Sequence, residues 1–217
     1  MTAFAPSESG PPERLPVTIR PAQMSDLEPM LALQSEAFAD KFRAAFGRRR
    51  IARGYAALIA VHRMQGQSGL QGMHVAVAGQ QIVGTITMRT VEMRIEDGGV
   101  VDDIFLRELG IWGSFRATHA MSQLDHRIGR HEGYITDVAV LPDFRRRGVA
   151  AAMLLYVRDI AKRYNKQSLG LYVSASNAGA RRLYQQLGFR DERTRISWWN
   201  GWLLGERRWV YMTSQVL

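Results

Sequence analysis

The stretch VLPDFRRRGVAAAML, residues 140–154, places three arginines and a glycine directly before a run of small and apolar residues. Val149 and Met153 recur at the spacing of one helix face, which predicts that a helix begins near Arg147. A strand that stops at Pro142, followed by a short loop, would direct several unpaired backbone N–H groups to one point, where the helix dipole favours anions. A solvated basic turn before a surface helix explains the same residues, so spacing alone leaves both interpretations open.

The residues around this turn restrict the kind of phosphate site that it can form. Gly148 and Ala150 have no bulky side chains, so phosphate groups of a ligand can approach the backbone closely. The stretch is not a P-loop, since no Gly-Lys-Ser/Thr follows, and it is not the Gly-x-Gly-x-x-Gly dinucleotide turn. The net charge of +9 and the pI of about 10.4 agree with a polyanionic partner, either nucleic acid, a membrane surface or a phosphorylated small molecule.

Composition also sets the class of protein. The 217 residues suffice for one domain with its own core, and the absence of cysteine excludes disulfides, thiolate metal sites and Cys nucleophiles; no metal is expected. Residues 1–16 are rich in Pro, Ser and Gly and do not resemble a signal peptide, so they predict a flexible arm before a single domain at residues 17–217. No apolar run approaches the roughly 20 residues of a membrane span. We therefore expect a cytoplasmic protein without a membrane partner.

Strand and helix patterns alternate along the chain. Strands are predicted at residues 17–22, in a hairpin around Gly79, at 133–141 and 168–176, and in a closing antiparallel pair at 190–202 and 207–216. Helices are predicted after Ser25 or Asp26, around 51–62, from Arg147 and after Asn177. The order of these patterns indicates an α/β domain.

Two motifs in this order resemble those of a known family. VAVLPDFRRRGVAAAML is similar to the acetyl-CoA-binding motif of the GNAT superfamily of N-acetyltransferases, Gln/Arg-x-x-Gly-x-Gly/Ala, with Arg145, Gly148 and Ala150 at its defining positions. LYVSASNAGARRLYQQLGF resembles the family's fifth strand and fourth helix, and VTIRPAQMSDLEPMLALQSEAF resembles its usual start. The resemblance covers residues 17–217, although residues 91–131 are longer than the family's connection between the third and fourth strands.

The resemblance implies a fold and a cofactor. The fold is α/β (α+β), a mixed and mostly antiparallel sheet flanked by helices, with splayed fourth and fifth strands and an extended connection between the third and fourth. The pantetheine of acetyl-CoA, the co-substrate, would lie between the splayed strands, and the N–H of Val138 or Ala139 would polarise the thioester carbonyl. The implied cofactor-binding residues are Val138, Ala139, Val140, Arg145, Arg146, Arg147, Gly148, Val149, Ala150 and Asn177.

Catalytic roles follow from the same resemblance. Tyr184 matches the family position that protonates the departing sulfur, although its helical spacing also fits simple packing. Asn177 would bind the pantetheine or only cap its helix. Glu132 is a candidate base acting through a water, because strand alternation predicts that it shares a face with Val138; Asp137, of opposite parity, is predicted to be structural.

The expected function is acetyl transfer from acetyl-CoA to a primary amine, by direct attack in a ternary complex. The alternatives are a non-catalytic acetyl-CoA sensor of the same fold and a basic nucleic-acid-binding protein. The second has only the basic charge in its favour, because the sequence shows no known nucleic-acid-binding motif. The acceptor, a small molecule or a protein, is not specified by the sequence. Residues 91–131 either contact the acceptor or pack as a helix, and the WWNGW run at residues 198–202 is typical of strand packing or of a homodimer contact.

Overall fold

The computed structural model of the chain describes residues 16–93, 100–122, 126–196 and 206–216. The predicted N-terminal arm lies almost wholly outside the described residues, and the WWNGW run lies entirely outside them. The division into arm and single domain therefore stays a prediction. No helix of the described part is long and apolar enough to span a membrane.

The described part forms one sheet with helices on both faces. Its strands are β1 Thr18–Pro21, β2 Met73–Ala78, β3 Gln81–Arg89, β4 Glu132–Val140, β5 Ser168–Ser174, β6 Arg190–Ile196 and β7 Arg208–Gln215. Its helices are α1 Leu27–Ala37, α2 Ala39–Phe46, α3 Ile51–Gln65, α4 Val100–Ser122, α5 Val149–Arg163 and α6 Ala178–Gln186. Short 3-10 turns lie at Met24–Asp26, Gly66–Leu70 and Pro142–Phe144.

The strand order is β1-β2-β3-β4-β5-β7-β6, and every neighbouring pair is antiparallel except β4 and β5. The hairpin predicted around Gly79 is β2–β3, and the predicted closing pair is β6–β7. The predicted fold class, a mixed and mostly antiparallel sheet flanked by helices, is confirmed.

The parallel pair β4–β5 opens into a gap. The two strands are in register from Glu132 opposite Ser168 to Ile135 opposite Leu171, and their pairing stops there. Residues 136–140 and 172–174 continue as strands without pairing to each other. The predicted splay of these strands is therefore confirmed, and it leaves backbone groups on both sides available to a ligand.

A β-bulge in β4 changes which residues face each side of the sheet. Asp137 has φ +53°, and the register with β3 shifts opposite it, between Thr85 and Thr87. As a result Val138 packs in the same cluster as Ile135, against α5, whereas regular alternation would place these two on opposite faces. The prediction that Glu132 shares a face with Val138 is therefore wrong, because alternation does not continue through a bulge.

The extended connection between β3 and β4 contains α4, whose backbone is kinked at Gly110 with φ +71°. Ile104, Phe105 and Leu109 are buried in a cluster with residues of α2 and α3. Asp102 and Asp103 are exposed. Ile104, Phe105 and Leu109 therefore pack, whereas Ile111, Trp112 and Phe115 of the same helix are exposed, so the role of the segment stays a prediction.

Candidate active site

The N-terminus of α5 presents a row of unpaired donors. Gly148 is its N-cap, with φ +82°, and Arg146 also has a positive φ of +61°. Within the described part, the backbone N–H groups of residues 146–151 have no protein acceptor; the first bond of the helix runs from the N–H of Ala152 to the carbonyl of Gly148, at 2.9 Å. A Cβ on Gly148 would meet no atom within 4 Å, so the space in front of these donors is open. Such a helix terminus favours an anion.

Three exposed arginines surround this terminus. Arg145 donates from Nε to the carbonyl of Val140 at 3.0 Å, which fixes the turn to the end of β4. The guanidinium of Arg147 lies 5.9 Å from the ring centre of Phe144. No carboxylate of the described residues pairs with Arg145, Arg146 or Arg147. Their charge is therefore available to phosphate groups outside the helix terminus.

The edge of β4 that faces the gap follows from its pairing with β3. The N–H of Leu141 donates to the carbonyl of Val83 at 2.9 Å, and Ala139 is paired with Thr85. Since bonding direction alternates along a strand, the backbone groups of Ala139 point toward β3 and those of Val138 and Val140 point into the gap. Of the two predicted donors to the thioester carbonyl, Val138 has the suitable direction and Ala139 does not.

Tyr184 of α6 is 7% exposed and packs in the cluster that contains Val138 and Val140. Burial raises its pKa to about 12, so the hydroxyl keeps its proton at neutral pH. Among the described residues that hydroxyl has no hydrogen-bond partner, and the ring lies 5.8 Å from that of Phe189. The ring is part of the core, as one interpretation of its helical spacing predicted, and the role of the hydroxyl as an acid stays a prediction.

Asn177 caps α6: its Oδ1 accepts from the N–H of Ala180 at 3.1 Å. The capping interpretation is therefore observed, and its contact with pantetheine stays a prediction. Val149 is buried against the sheet, so only its backbone can reach a ligand.

Glu132 lies in a buried network at the paired end of β4. Its carboxylate accepts from His126 Nε2 at 2.8 Å, from the N–H of Gly129 at 2.9 Å and from the hydroxyl of Tyr211. Burial raises the pKa of Glu132, but these hydrogen bonds together outweigh it and hold the pKa below its usual range. The carboxylate thus already accepts hydrogen bonds from three groups, and its role as a base stays a prediction.

Asp137, predicted to be structural, faces a large cavity. The cavity of about 1570 Å³ lies on the α1–α3 side of the sheet, and its lining includes Leu31, Gln34, His62, Met73, His126 and Asp137. Thr85 donates from Oγ1 to the Asp137 carbonyl at 3.0 Å and Thr136 donates to its carboxylate at 2.9 Å, which together hold the bulge. Strand alternation does not predict that Asp137 lines this cavity, because the bulge changes the direction of its side chain; its structural role stays a prediction.

Comparison with known proteins agrees with this geometry. The sequence profile of the acetyltransferase (GNAT) family matches residues 35–189. The chain is 35% identical over 68 residues to the ribosomal protein bS18-alanine N-acetyltransferase of Escherichia coli and 37% identical over 58 residues to GCN5-related N-acetyltransferase 4, chloroplastic, of Arabidopsis thaliana. These matches cover 31% and 27% of this chain, and 46% and 20% of the respective relatives.

Solved structures share the fold over nearly the whole chain. A crystal structure of an acetyltransferase superimposes with a TM-score of 0.62 at 20% identity, covering 92% of this chain and all 100% of the other. The PaiA N-acetyltransferase of Thermoplasma acidophilum, solved in complex with coenzyme A, superimposes with a TM-score of 0.57 at 14% identity, covering 92% and 99%. A helix N-terminus without a side-chain cap, beside two splayed strands of this sheet, is the arrangement of an acetyl-CoA-binding fold. The chain belongs to the GNAT family of acetyltransferases.

Proposed function

We propose that the protein transfers an acetyl group from acetyl-CoA to a primary amine by direct attack in a ternary complex. One observation carries the proposal: the gap between β4 and β5 leads to the N-terminus of α5, whose first N–H groups have no acceptor among the described residues. A chain of amides that ends in phosphates would satisfy both features at once. The open space at Gly148 fits a pyrophosphate in contact with the backbone.

Each part of the cofactor has a counterpart among the described residues. The N–H and C=O groups of Val138 and Val140 would pair with the pantetheine amides as a strand does. The N–H groups of residues 146–151 would bind the pyrophosphate, and the guanidinium groups of Arg146 and Arg147 would bind outer phosphates.

Catalysis then requires a donor for the oxyanion and an acid for the thiolate. The N–H of Val138 points into the gap and would stabilise the tetrahedral oxyanion. Tyr184, protonated at neutral pH, would give its proton to the sulfur as the C–S bond breaks. The buried ring keeps the hydroxyl in a fixed position, which limits the entropy lost at the transition state.

The acceptor would enter from the cavity on the α1–α3 side. Asp137 lines that cavity, just beyond the last β4–β5 pair at Ile135. Its carboxylate would therefore take a proton from the attacking amine, directly or through water. The E. coli relative is named for the alanine of a ribosomal protein, so peptide N-termini belong in the panel of acceptors together with polyamines, amino acids and aminoglycosides.

The test measures thiol release from acetyl-CoA against that panel, with mass spectrometry of each amine. Thiol release that depends on an amine and matches the amount of acetylated amine supports the enzyme. Thermal stabilisation by acetyl-CoA without amine-dependent thiol release indicates the sensor. Salt-dependent binding to random DNA with no stabilisation by acetyl-CoA would contradict both.

A further inference from the structure

The ammonium of Lys41, on α2, lies close to two aromatic rings. Its Nζ lies 4.6 Å from the ring centre of Phe38 and 5.4 Å from that of Trp209 on β7. Both distances are in the range of cation–π attraction. Ala44, one turn further along α2, packs against Trp209 beside Tyr172. This places α2 on the sheet at Tyr172, the first residue of β5 beyond its pairing with β4.

The position of Lys41 relative to the gap follows from the strand order. β5 lies between β4 and β7. The Lys41 ammonium lies near Trp209 of β7, which pairs with Ser174 in the splayed half of β5, and the charge of Asp137 on β4 acts on it. The amine therefore lies near the splayed half of β5, on the face of the sheet where α2 packs. Burial lowers the pKa of Lys41, and the charge of Asp137 opposes this effect only in part. A lowered pKa increases the fraction of neutral, nucleophilic amine.

Lysine is rare in this sequence, which makes the position of Lys41 more notable. Lys41, Lys162 and Lys166 are the only lysines in the sequence. The other 26 of the 29 Lys and Arg residues are arginines, whose guanidinium groups stay charged and do not act as nucleophiles toward a thioester. Lys166 is buried and its ammonium donates to both oxygens of Glu92 at 2.7 Å and to the carbonyl of Arg130 at 2.9 Å. Lys162 is exposed at the end of α5.

We propose that Lys41 is a self-acetylation site, modified by acetyl-CoA bound in the gap of the same molecule. The proposal rests on the proposed function. The neutral Nζ attacks the thioester carbonyl and forms the C–N bond, and the tetrahedral oxyanion collapses with cleavage of the C–S bond. One Nζ proton passes to Asp137 or to water, and the thiolate takes a proton from Tyr184, so the products are acetyl-lysine and coenzyme A. The modification removes the positive charge beside Phe38 and Trp209.

The experiment incubates the full chain with deuterated acetyl-CoA and no added amine, and follows each lysine by peptide mass spectrometry. We expect Lys41 to gain the label at least about tenfold faster than exposed Lys162, because it is held beside the reacting group. Excess coenzyme A should suppress labelling of Lys41 and leave that of Lys162 unchanged. The rate at Lys41 should not depend on protein concentration, as an intramolecular step requires.

Two variants complete the test. Lys162→Arg is the matched control and should leave labelling of Lys41 unchanged. Asp137→Asn, which retains a residue type tolerant of positive φ, should slow labelling of Lys41 by about 100-fold. Thermal stabilisation by acetyl-CoA with equal labelling of Lys41 and Lys162 would overturn self-acetylation and leave the proposed function intact. Absence of any stabilisation by acetyl-CoA would overturn both.

Discussion

Replacing Gly148 with valine should abolish binding of acetyl-CoA at a moderate cost in stability. Gly148 caps α5 with φ +82°, and its missing side chain leaves open the space in front of the unpaired N–H groups. A β-branched residue at this φ is strained by about 1–2 kcal/mol. For a domain of this size that strain lowers Tm by about 2–8 °C.

The larger effect should be on the ligand-induced shift. At 100 times Kd, acetyl-CoA stabilises the native wild type by about 2.7 kcal/mol. Valine methyl groups would occupy the position of the pyrophosphate, so this gain should disappear in Gly148→Val. The assay is thermal unfolding by circular dichroism with and without acetyl-CoA.

Gly79 provides the matched control. It has φ +60° in the β2–β3 turn, and a Cβ there also meets no atom within 4 Å. Gly79→Val should therefore lose a similar amount of stability through strain and retain the full shift with acetyl-CoA. A full shift in Gly148→Val, or an equal loss of the shift in both variants, would refute the phosphate site at α5.

Three further substitutions test single residues. Tyr184→Phe should lower turnover by roughly 10- to 1,000-fold with little change in acetyl-CoA affinity. Because burial raises the pKa of Tyr184 from 10.0 to about 12, the wild type, unlike the variant, should lose stability as pH rises from 10 toward 12, as pH-dependent unfolding would show. Glu132→Gln should lower the free energy of unfolding by about 1–3 kcal/mol at pH 7, since His126 and Tyr211 lose a charged acceptor. As the pKa of Glu132 is held below its ordinary 4.5, the advantage of the wild type should be full above pH 4.5 and vanish as pH falls further, measured by urea unfolding. Asp137→Asn should lower turnover in steady-state assays and leave the shift with acetyl-CoA unchanged; unaltered turnover would return this residue to a structural role.

The elements that the sequence predicted are those with local signals. The helix after Gly148 has an apolar stripe and a glycine that permits positive φ, and the hairpin has Gly79 between two alternating runs. The proposed cofactor side of the site lies on such elements, so its backbone donors could be predicted from the sequence. The splay of β4 and β5, in contrast, was predicted only from the resemblance to a known family, because periodicity carries no information on where two strands separate.

The proposed acceptor side could not be predicted from the sequence in the same way. The bulge at Asp137 has no glycine or other local signal, and it is held by hydrogen bonds from Thr85 and Thr136, of which Thr85 is 52 residues away. It reversed the faces expected for the residues that follow it in β4. The position of Lys41 depends on how α2 packs on Trp209 of β7, a contact between distant parts of the chain. Such contacts are set by tertiary packing.

Amide hydrogen exchange tests most directly whether acetyl-CoA occupies the gap and the α5 terminus. The N–H groups of residues 146–151 have no acceptor among the residues that the structure describes, and those of Val138 and Val140 point into the gap. They should therefore exchange rapidly in the free protein. With saturating acetyl-CoA, these N–H groups should become protected, while the β2–β3 turn at Gly79 should keep its rate. Thermal stabilisation by acetyl-CoA with no protection of residues 138–151 would contradict the account.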